Sequence, residues 1–154
     1  ATREVLQDGW LHTGDLGYMD KDGFLFINGR RKSVIVTPNG KNVYPEEVEF
    51  HLAESKFVLE SLVWGGKDTD PSKTEVQAII VPNTEGFDEE FGASSYSDEK
   101  IEEVISGVVK KVNGKLAGYK KIKTFSIRNE EFEKTTTRKI KRYLYTAKTT
   151  PVDG

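Results

Sequence analysis

A basic, threonine-rich segment, residues 134–142 (KTTTRKIKR), carries the side chains best suited to chemistry in this 154-residue chain. Five of its nine residues are basic, and three threonines place Lys139 in a polar loop rather than on a helix face. A lysine ammonium is a flexible point charge that can neutralise the negative charge shifting during phosphate chemistry. Taken alone, the segment indicates a nucleic-acid or nuclear-localisation patch. For a single lysine, surface solubility is the simpler interpretation.

Two polar positions upstream are suited to binding a nucleotide. Asp15 follows a Thr13-Gly14 turn and precedes a predicted strand, where a carboxylate can accept hydrogen bonds from a vicinal diol, as acidic residues do for ribose. Arg30 follows Gly29, and its planar guanidinium suits phosphate or ribose oxygens. Each residue also has a simpler interpretation, Asp15 as a turn cap and Arg30 as part of a solvated strand end.

A glycine-containing loop, formed by Asn39, Gly40 and Lys41, is the third candidate element. Glycine lets the backbone approach a narrow ligand closely, so the loop is able to line a channel. Such a loop more often only turns the chain.

Composition limits the function classes. The 36% hydrophobic and 10% aromatic content is globular, and no apolar run approaches the roughly 20 residues that a membrane span needs. The absence of cysteine excludes disulfides, thiolate metal sites and cysteine nucleophiles. His12 and His51 are too few for a His-rich metal site and are interpreted as structural. The net charge of −2 provides no global field that would attract nucleic acid or anionic lipid.

Charge is nevertheless unevenly distributed, with acids concentrated in residues 85–103 and basic residues predominating in residues 110–142. We interpret these segments as two solvated faces, and a gradient that helps to hold an anionic ligand is the alternative. The start of the chain has no signal-peptide pattern. Because the chain lacks an initiator methionine and opens in what looks like the middle of an element, we expect it to be a piece of a longer protein.

The pattern of elements predicts an α+β fold in which a small mixed or antiparallel sheet is flanked by helices and preceded by a β-hairpin. The hairpin is predicted over residues 16–28, with Gly23 in its turn. Pro45 predicts the start of a helix, and Ser97 predicts the N-cap of an amphipathic helix that Gly118 ends. Residues 83–97 are predicted to form a loop. The remaining predicted strands cover residues 33–37, 59–64, 75–81 (central) and 122–128.

In their order and spacing, these motifs resemble the C-terminal domain of adenylate-forming acyl-CoA synthetases, a superfamily that includes luciferases and the adenylation domains of peptide synthetases. The family runs Gly-Trp, Thr-Gly-Asp, Asp-x-x-Gly, Gly-Arg-x-Lys or Asp, a glycine loop, Pro-x-Glu-x-Glu and Pro-Lys-Thr-x-Ser-Gly-Lys-Ile. The matching positions are Gly9-Trp10, Thr13 to Asp15, Asp20 to Gly23, Gly29 to Lys32, Asn39-Gly40, Pro45 with Glu47 and Glu49, and Glu133 to Ile140.

The resemblance implies roles in adenylation for three residues. Lys139 would be the adenylation lysine, which approaches the carboxylate oxygen and the α-phosphate as acyl adenylate and pyrophosphate form. Asp15 would bind the ribose hydroxyls of ATP, and Arg30 would assist at the ribose and the α-phosphate.

The resemblance also implies a second arrangement of the domain. Lys32 would be the hinge, and after rotation Asn39, Gly40 and Lys41 would line the pantetheine channel of CoA. The implied parts are residues 1–31 (the end of an N-terminal domain and a hinge-proximal hairpin), 32–148 (the mobile lid) and 149–154 (a tail or linker).

The chain departs from the family pattern in three places. Glu133 replaces the proline of the last motif, and Thr137-Arg138 replaces its Ser-Gly, which stiffens the loop and adds a charge. The usual glycine pair of the CoA loop is only Asn39-Gly40. The Thr-Arg-Lys variant with a longer acidic insertion is similar to the long-chain fatty acyl branch, which favours a fatty acid as the substrate.

The family's phosphate loop, metal-ligating glutamate and acyl pocket belong to an N-terminal domain, so we expect this chain alone to be inactive. ATP, CoA and Mg²⁺ are the implied cofactors, with no metal ligands here. The implied partners are the N-terminal adenylation domain and a fatty acid, without nucleic acid or a membrane span. A cytoplasmic location is implied, with peripheral membrane association left open.

Three other hypotheses stay open at this point. An enzyme that loads an acyl group onto a carrier protein could use the basic segment 110–123 to meet an acidic partner. A non-catalytic nucleic-acid-binding module could use residues 134–142, with Tyr143 and Tyr145 stacking on bases. A pseudo-ligase could serve only as an interaction domain.

Overall fold

The computed structural model confirms the predicted α+β class. The structure describes residues 6–8, 10–30, 33–66 and 74–146. The strands are β1 Leu6–Gln7, β2 Trp10–Leu11, β3 Asp15–Met19, β4 Leu25–Arg30, β5 Ile35–Val36, β6 Asn42–Val43, β7 Val58–Gly66, β8 Glu75–Pro82 and β9 Thr124–Ile127. The helices are α1 Pro45–Ala53, α2 Thr84–Phe91, α3 Asp98–Lys115 and α4 Tyr143–Thr146, with a 3₁₀ turn at Gly118–Lys120.

The largest sheet is mixed and has the strand order β7-β8-β9. β7 and β8 are antiparallel, whereas β8 and β9 are parallel. Helix α3 lies between β8 and β9 in the chain and provides the crossover that a parallel pair requires. The prediction that β8 is central is confirmed, and its nearly continuous apolar sequence follows from burial on both faces.

One face of this sheet packs against α1 and α3. Helix α1 begins with Pro45 and has two acidic residues in its first turn, where they stabilise the positive end of the helix dipole. Ser97 caps α3 as predicted, since its Oγ accepts a hydrogen bond from the Lys100 N–H at 3.3 Å. The helix residues buried in this core are Pro45, Val48, Leu52, Ile105, Val109 and Val112.

The other face of the sheet is covered in part by the C-terminal segment. Leu62 and Val81 form a second buried cluster with Phe132, and Ile140 and Tyr145 pack against it. This cluster attaches the segment that carries Lys139 to the sheet.

The prediction of a loop over residues 83–97 is wrong in its first half, because residues 84–91 form α2. Phe87 is fully buried, and its ring lies 4.9 Å from Phe57 and 5.3 Å from Tyr96. The spacing of Phe87 and Phe91 carries the helical signal, but Gly86 and four surrounding acidic residues obscure it. A Cβ at Gly86 would overlap the carbonyl oxygen of Lys56, so glycine permits this close packing.

The predicted hairpin is confirmed as β3 and β4, with Gly23 at a φ of +85° in its turn. Tyr18 stacks on Phe26 at 5.1 Å, and β4 contacts α1. The predicted boundary between residues 31 and 32 lies outside the described residues. None of the described helices is long and apolar enough to cross a membrane.

Candidate functional site

Lys139 lies in a short β-hairpin, residues 134–140, which we call the Lys139 hairpin. A bridge joins Lys134 to Ile140, and the Thr135 N–H donates to the Lys139 carbonyl at 2.8 Å. The Thr135 hydroxyl oxygen accepts the Lys139 N–H at 3.3 Å. Within the part of the chain that the structure describes, the exposed Lys139 ammonium has no hydrogen bond or ion pair. The structure therefore presents this cation on an ordered loop with its charge available to a ligand.

Arg138 occupies the one position of the Lys139 hairpin that favours glycine. Its φ is +62°, and its N–H donates to the Thr135 carbonyl at 2.9 Å. A three-residue hairpin loop with a left-handed last residue is a standard geometry, and glycine usually fills that position. Arg138, at the position of the glycine in the Ser-Gly-Lys motif that the sequence resembles, therefore has a left-handed backbone conformation.

Replacing Arg138 with valine is expected to lower the free energy of unfolding by about 1–2 kcal/mol, because a β-branched side chain is strained at positive φ. Arg138→Gly is the matched variant and should remain within about 1 kcal/mol of wild type, since relief of strain offsets the greater freedom of the unfolded chain. Urea unfolding of both variants provides the measurement. Equal stabilities of the valine and glycine variants would contradict the left-handed geometry.

The predicted CoA-channel loop has the same local structure as the Lys139 hairpin. The Thr37 N–H donates to the Lys41 carbonyl at 2.9 Å, and the Thr37 Oγ1 accepts the Lys41 N–H at 3.1 Å. Gly40, at a φ of +75°, occupies the position of Arg138. Sequence analysis missed this likeness, although a threonine four residues before a lysine in both loops signals it.

The two lysines differ in what surrounds their ammonium groups. The Lys41 Nζ lies 4.7 Å from the ring centroid of Tyr119, a cation–π contact that holds the side chain against the 3₁₀ turn. The neighbouring Lys120 is hydrogen-bonded to both carboxylate oxygens of Glu47 at 2.9 and 3.0 Å. Its hydrogen bond to Glu47 raises the pKa of Lys120.

The structure brings the two predicted nucleotide residues together. Asp15 and Arg30 are paired across β3 and β4, and the Arg30 Nε lies 3.3 Å from the Asp15 Oδ1. Gly14 has a φ of +75°, and the Thr13 Oγ1 accepts the Asp15 N–H at 3.3 Å, so the predicted turn is present. Lys32, the predicted hinge, lies outside the described residues.

One end of the Lys139 hairpin is fixed to β7 by a carboxylate. The Phe132 N–H donates to the Glu60 Oε2 at 3.1 Å, and Lys134 forms an ion pair with the same carboxylate. The hydrogen bond to Glu60 raises the pKa of Lys134. Across the hairpin, the Lys141 Nζ contacts Glu133 at 2.7 Å.

The other end is fixed by Arg142 and Glu49, a pair that sequence analysis did not identify as interacting. The Arg142 Nη2 lies 2.7 Å from the Glu49 Oε2, and the Arg142 Nη1 donates to the Val63 carbonyl at 3.2 Å. Burial raises the pKa of the Glu49 carboxyl, and the hydrogen bond and charge of Arg142 oppose that rise.

Residues 32–150 match the family described as AMP-binding enzyme C-terminal domain. The chain belongs to this family. The predicted resemblance is therefore confirmed, and the match covers the Lys139 hairpin, the Thr37–Lys41 loop and the β7-β8-β9 sheet that supports them. It leaves Asp15 and Arg30 upstream of the matched segment.

Two kinds of ligase are among the sequence relatives of this AMP-binding C-terminal domain. It is 44% identical over 80 residues, 52% of the chain, to a 2-succinylbenzoate–CoA ligase of Bacillus cytotoxicus. It is 34% identical over 163 aligned residues, 96% of the chain, to the long-chain-fatty-acid–CoA ligase FadD15 of Mycobacterium tuberculosis. The chain spans only 16% and 26% of the lengths of these relatives.

Solved structures show the same fold. The o-succinylbenzoate CoA synthetase of Bacillus subtilis, in complex with ATP and a magnesium ion, is 28% identical over 96% of this chain, with a TM-score of 0.67. The anthranilate CoA ligase AuaEII, in complex with anthranoyl-AMP, is 28% identical over 92% of the chain, with a TM-score of 0.71. The chain covers 26% and 25% of these two structures.

Most of the positive charge of residues 134–142 is neutralised by ion pairs within this AMP-binding C-terminal domain. Lys134, Lys141 and Arg142 are each paired with a glutamate, which leaves Arg138 and Lys139 as the cations of residues 134–142 without an ion pair among the described residues. The Tyr145 hydroxyl accepts the Glu133 N–H at 2.7 Å, and its ring packs on Phe132. Tyr145 is therefore engaged within the domain, whereas Tyr143 is 65% exposed. The ion pairs reduce the positive charge that residues 134–142 could offer to a nucleic acid.

A metal site is not evident in the described part of the AMP-binding C-terminal domain. Across residues 6–8, 10–30, 33–66 and 74–146, no three or more acidic or histidine side chains are grouped in a way that could hold an ion.

Proposed function

We propose that this chain is the mobile lid of an ATP-dependent acid–CoA ligase, which forms an acyl adenylate and then transfers the acyl group to CoA. The observation that carries the proposal is the ammonium of Lys139, which is unpaired among the described residues and lies on a hairpin that is fixed at both ends to the domain. The family match and the acid–CoA ligases among the relatives support it.

In the first half-reaction, Lys139 is the group that meets the developing charge. The substrate carboxylate attacks the α-phosphorus of ATP, the bond to pyrophosphate breaks, and negative charge accumulates on the oxygens of the α-phosphate. An ammonium held at this position stabilises that charge most strongly where water is excluded. Because the Lys139 ammonium has no partner within the described domain, it does not have to break an internal ion pair to reach the α-phosphate.

Asp15 and Arg30 are proposed to hold the nucleotide. The Arg30 Nε lies 3.3 Å from the Asp15 Oδ1, and a ribose diol would use the remaining hydrogen-bonding capacity of the carboxylate. Arg30 has the additional charge and donors to assist at the ribose and the α-phosphate.

In the second half-reaction, the lid is proposed to rotate about Lys32 and to bring the Asn39, Gly40 and Lys41 loop to the site. The proposed parts are residues 1–31, the end of the preceding domain; 32–148, the lid; and 149–154, a tail or linker. The shared geometry of the two lysine loops supports this exchange, since each presents a lysine on a tight hairpin turn.

For the substrate, we propose a long-chain fatty acid. The support is the similarity to a long-chain-fatty-acid–CoA ligase along 96% of the chain, together with the Thr-Arg-Lys sequence of the last motif. An aromatic acid is the second candidate, because the 2-succinylbenzoate–CoA ligases share higher identity over a shorter segment. The acyl pocket is proposed to lie in the N-terminal domain.

ATP, CoA and Mg²⁺ are part of the same proposal, with the metal ligands in the N-terminal adenylation domain. A cytoplasmic location accords with these substrates. CoA is the proposed acceptor, as it is for the 2-succinylbenzoate–CoA and long-chain-fatty-acid–CoA ligases among the relatives, and an acyl carrier protein is the alternative.

The proposal predicts acid-dependent ATP–pyrophosphate exchange and CoA thioester formation by the full-length protein. Long-chain fatty acids, 2-succinylbenzoate and simple aromatic acids would be compared, each with CoA and with an acyl carrier protein as the acceptor. Long-chain fatty acids should give the highest kcat/KM with CoA, and residues 1–154 alone should be inactive. If none of the acids in the panel supports ATP–pyrophosphate exchange, the result would favour a pseudo-ligase and contradict the proposal.

A further inference from the structure

The outer edge of β7 is completed by side chains instead of another strand. β7 pairs with β8 on one side, and the N–H and C=O of Val63 both point away from β8, as alternate residues of an antiparallel strand do. The Glu49 Oε1 accepts the Val63 N–H at 2.9 Å, and the Arg142 Nη1 donates to the Val63 carbonyl at 3.2 Å. A buried strand edge needs such partners, because unpaired peptide groups are costly away from water.

The same two side chains bind each other, which closes a ring. The Arg142 Nη2 lies 2.7 Å from the Glu49 Oε2, and the side chains of Glu49 and Arg142 are 17% and 27% exposed. The ring joins α1, β7 and the segment that follows the Lys139 hairpin. The ring needs two N–H donors in a fixed planar arrangement, one for the Val63 carbonyl and one for the Glu49 carboxylate. A guanidinium provides this arrangement and a lysine ammonium does not.

The chain between Arg142 and Lys139 has little freedom. Ile140 is bridged to Lys134, and the Lys141 N–H donates to the Glu133 carbonyl at 2.9 Å. A change in the position of Arg142 is therefore transmitted to Lys139 through paired backbone.

We propose that Glu49 and Arg142 form a clamp that positions Lys139 for adenylation. The inference rests on the proposed function and assigns positioning residues to it. Glu60 fixes the strand of the hairpin that enters the loop, whereas the clamp fixes the strand that leaves it. Both attachments reach β7, one through Glu60 and the other through the Val63 carbonyl, so Lys139 has a defined position relative to the sheet of the lid.

The test compares Arg142→Met, Glu49→Gln, the double variant and Lys139→Ala in the full-length protein, below the unfolding transition. ATP–pyrophosphate exchange and thioester formation from supplied acyl adenylate are measured separately. Arg142→Met is expected to lower exchange by about 10- to 100-fold, because small displacements of a positioned group have effects of this order. Thioester formation, which does not use Lys139, should change by less than about threefold.

The double variant separates positioning from stability. Removing both partners leaves no uncompensated charge, so thermal stability should return toward the wild-type value. Exchange should remain as low as in Arg142→Met, because the clamp is still absent. Arg142→Lys should recover exchange only in part, since lysine keeps the charge without the paired donors.

Lys56→Met is the control for the loss of a cation from an ion pair elsewhere, since Lys56 contacts Glu90 at 2.6 Å. Both half-reactions should remain near wild type in this variant. Recovery of exchange together with stability in the double variant would overturn the clamp, as would a parallel loss of both half-reactions in Arg142→Met. Unchanged exchange in Lys139→Ala would overturn the proposed function, and with it the clamp.

Discussion

Replacing Lys139 with alanine in the full-length protein is expected to lower ATP–pyrophosphate exchange by about 100- to 1000-fold, the range seen when a single preorganised charge-stabilising group is removed. Thioester formation from supplied acyl adenylate should stay within about threefold of wild type, because we propose that the second half-reaction uses the other lysine loop. The reason lies in the position of Lys139, whose ammonium is exposed on an ordered hairpin and unpaired within the described residues.

Lys141→Ala is the matched control, because it removes a lysine from the same basic segment. The Lys141 Nζ is 2.7 Å from Glu133, so its charge is already engaged, and loss of such a half-exposed ion pair should lower exchange by less than about fivefold. A uniform loss of both half-reactions in Lys139→Ala would indicate a structural role for Lys139. Equal losses in the two lysine variants would indicate that the charge of the segment matters, and that the position of Lys139 does not.

The elements of the fold that were predictable from the sequence are those with local signals. Pro45 with two following acids marks the start of α1, and Ser97 followed by apolar residues at helical spacing marks α3. β8 is predictable because a strand buried on both faces is apolar throughout. Helix α2 was not predictable in the same way, since its stability depends on Phe57 and Tyr96 packing around Phe87.

The features of the candidate site also differ in how far the sequence identifies them. Lys139 and the Asn39-Gly40 loop stand out because short motifs surround them, and Asp15 and Arg30 because their residue types suit a nucleotide. Their assigned roles remain predictions. The pairing of Asp15 with Arg30 depends on the register of a hairpin, which the sequence indicates only approximately.

The contacts that orient Lys139 were beyond sequence reasoning, because they connect residues far apart in the chain. Arg142 and Glu49 are separated by 93 positions, and Phe132 and Glu60 by 72. Glu49 belongs to the Pro-x-Glu-x-Glu motif and Glu60 to no recognised motif, but the local sequence identifies a partner for neither carboxylate. Only the sheet, by placing β7 beside α1 and under the C-terminal segment, identifies them as anchors.

Arg142→Met is expected to lower the free energy of unfolding by about 2–3 kcal/mol at neutral pH, because it leaves the Glu49 carboxylate buried without its counter-charge. The expected loss is smaller than the roughly 3–5 kcal/mol for fully buried pairs, since the Glu49 and Arg142 side chains retain 17% and 27% exposure. Glu49→Gln/Arg142→Met should be more stable than Arg142→Met, as both charges are then absent, but less stable than wild type, because the Val63 carbonyl still lacks its Arg142 donor. Urea unfolding of wild type, Arg142→Met, Glu49→Gln and the double variant measures the coupling free energy between the two side chains.

The loss of stability in Arg142→Met should grow as the pH rises. Burial raises the folded-state pKa of Glu49 above its unfolded value of about 4.3, so the folded protein binds the proton more tightly, and stability falls as the pH passes upward from the unfolded to the folded pKa. Arg142 opposes this rise, and so does the Val63 N–H, whereas the nearby Glu46 charge adds to it. Without Arg142, the pKa of Glu49 in the folded protein is higher still, and the pH range over which stability falls extends to higher pH.

The difference in stability between wild type and Arg142→Met should therefore be smaller at about pH 5 than at about pH 8. The double variant lacks the Glu49 carboxyl, and its stability relative to wild type should not show the increasing loss with pH. A pH-independent loss in Arg142→Met would indicate that Arg142 acts through packing and its hydrogen bond to Val63, because an unpaired Glu49 carboxylate cannot be buried without linking folding to pH.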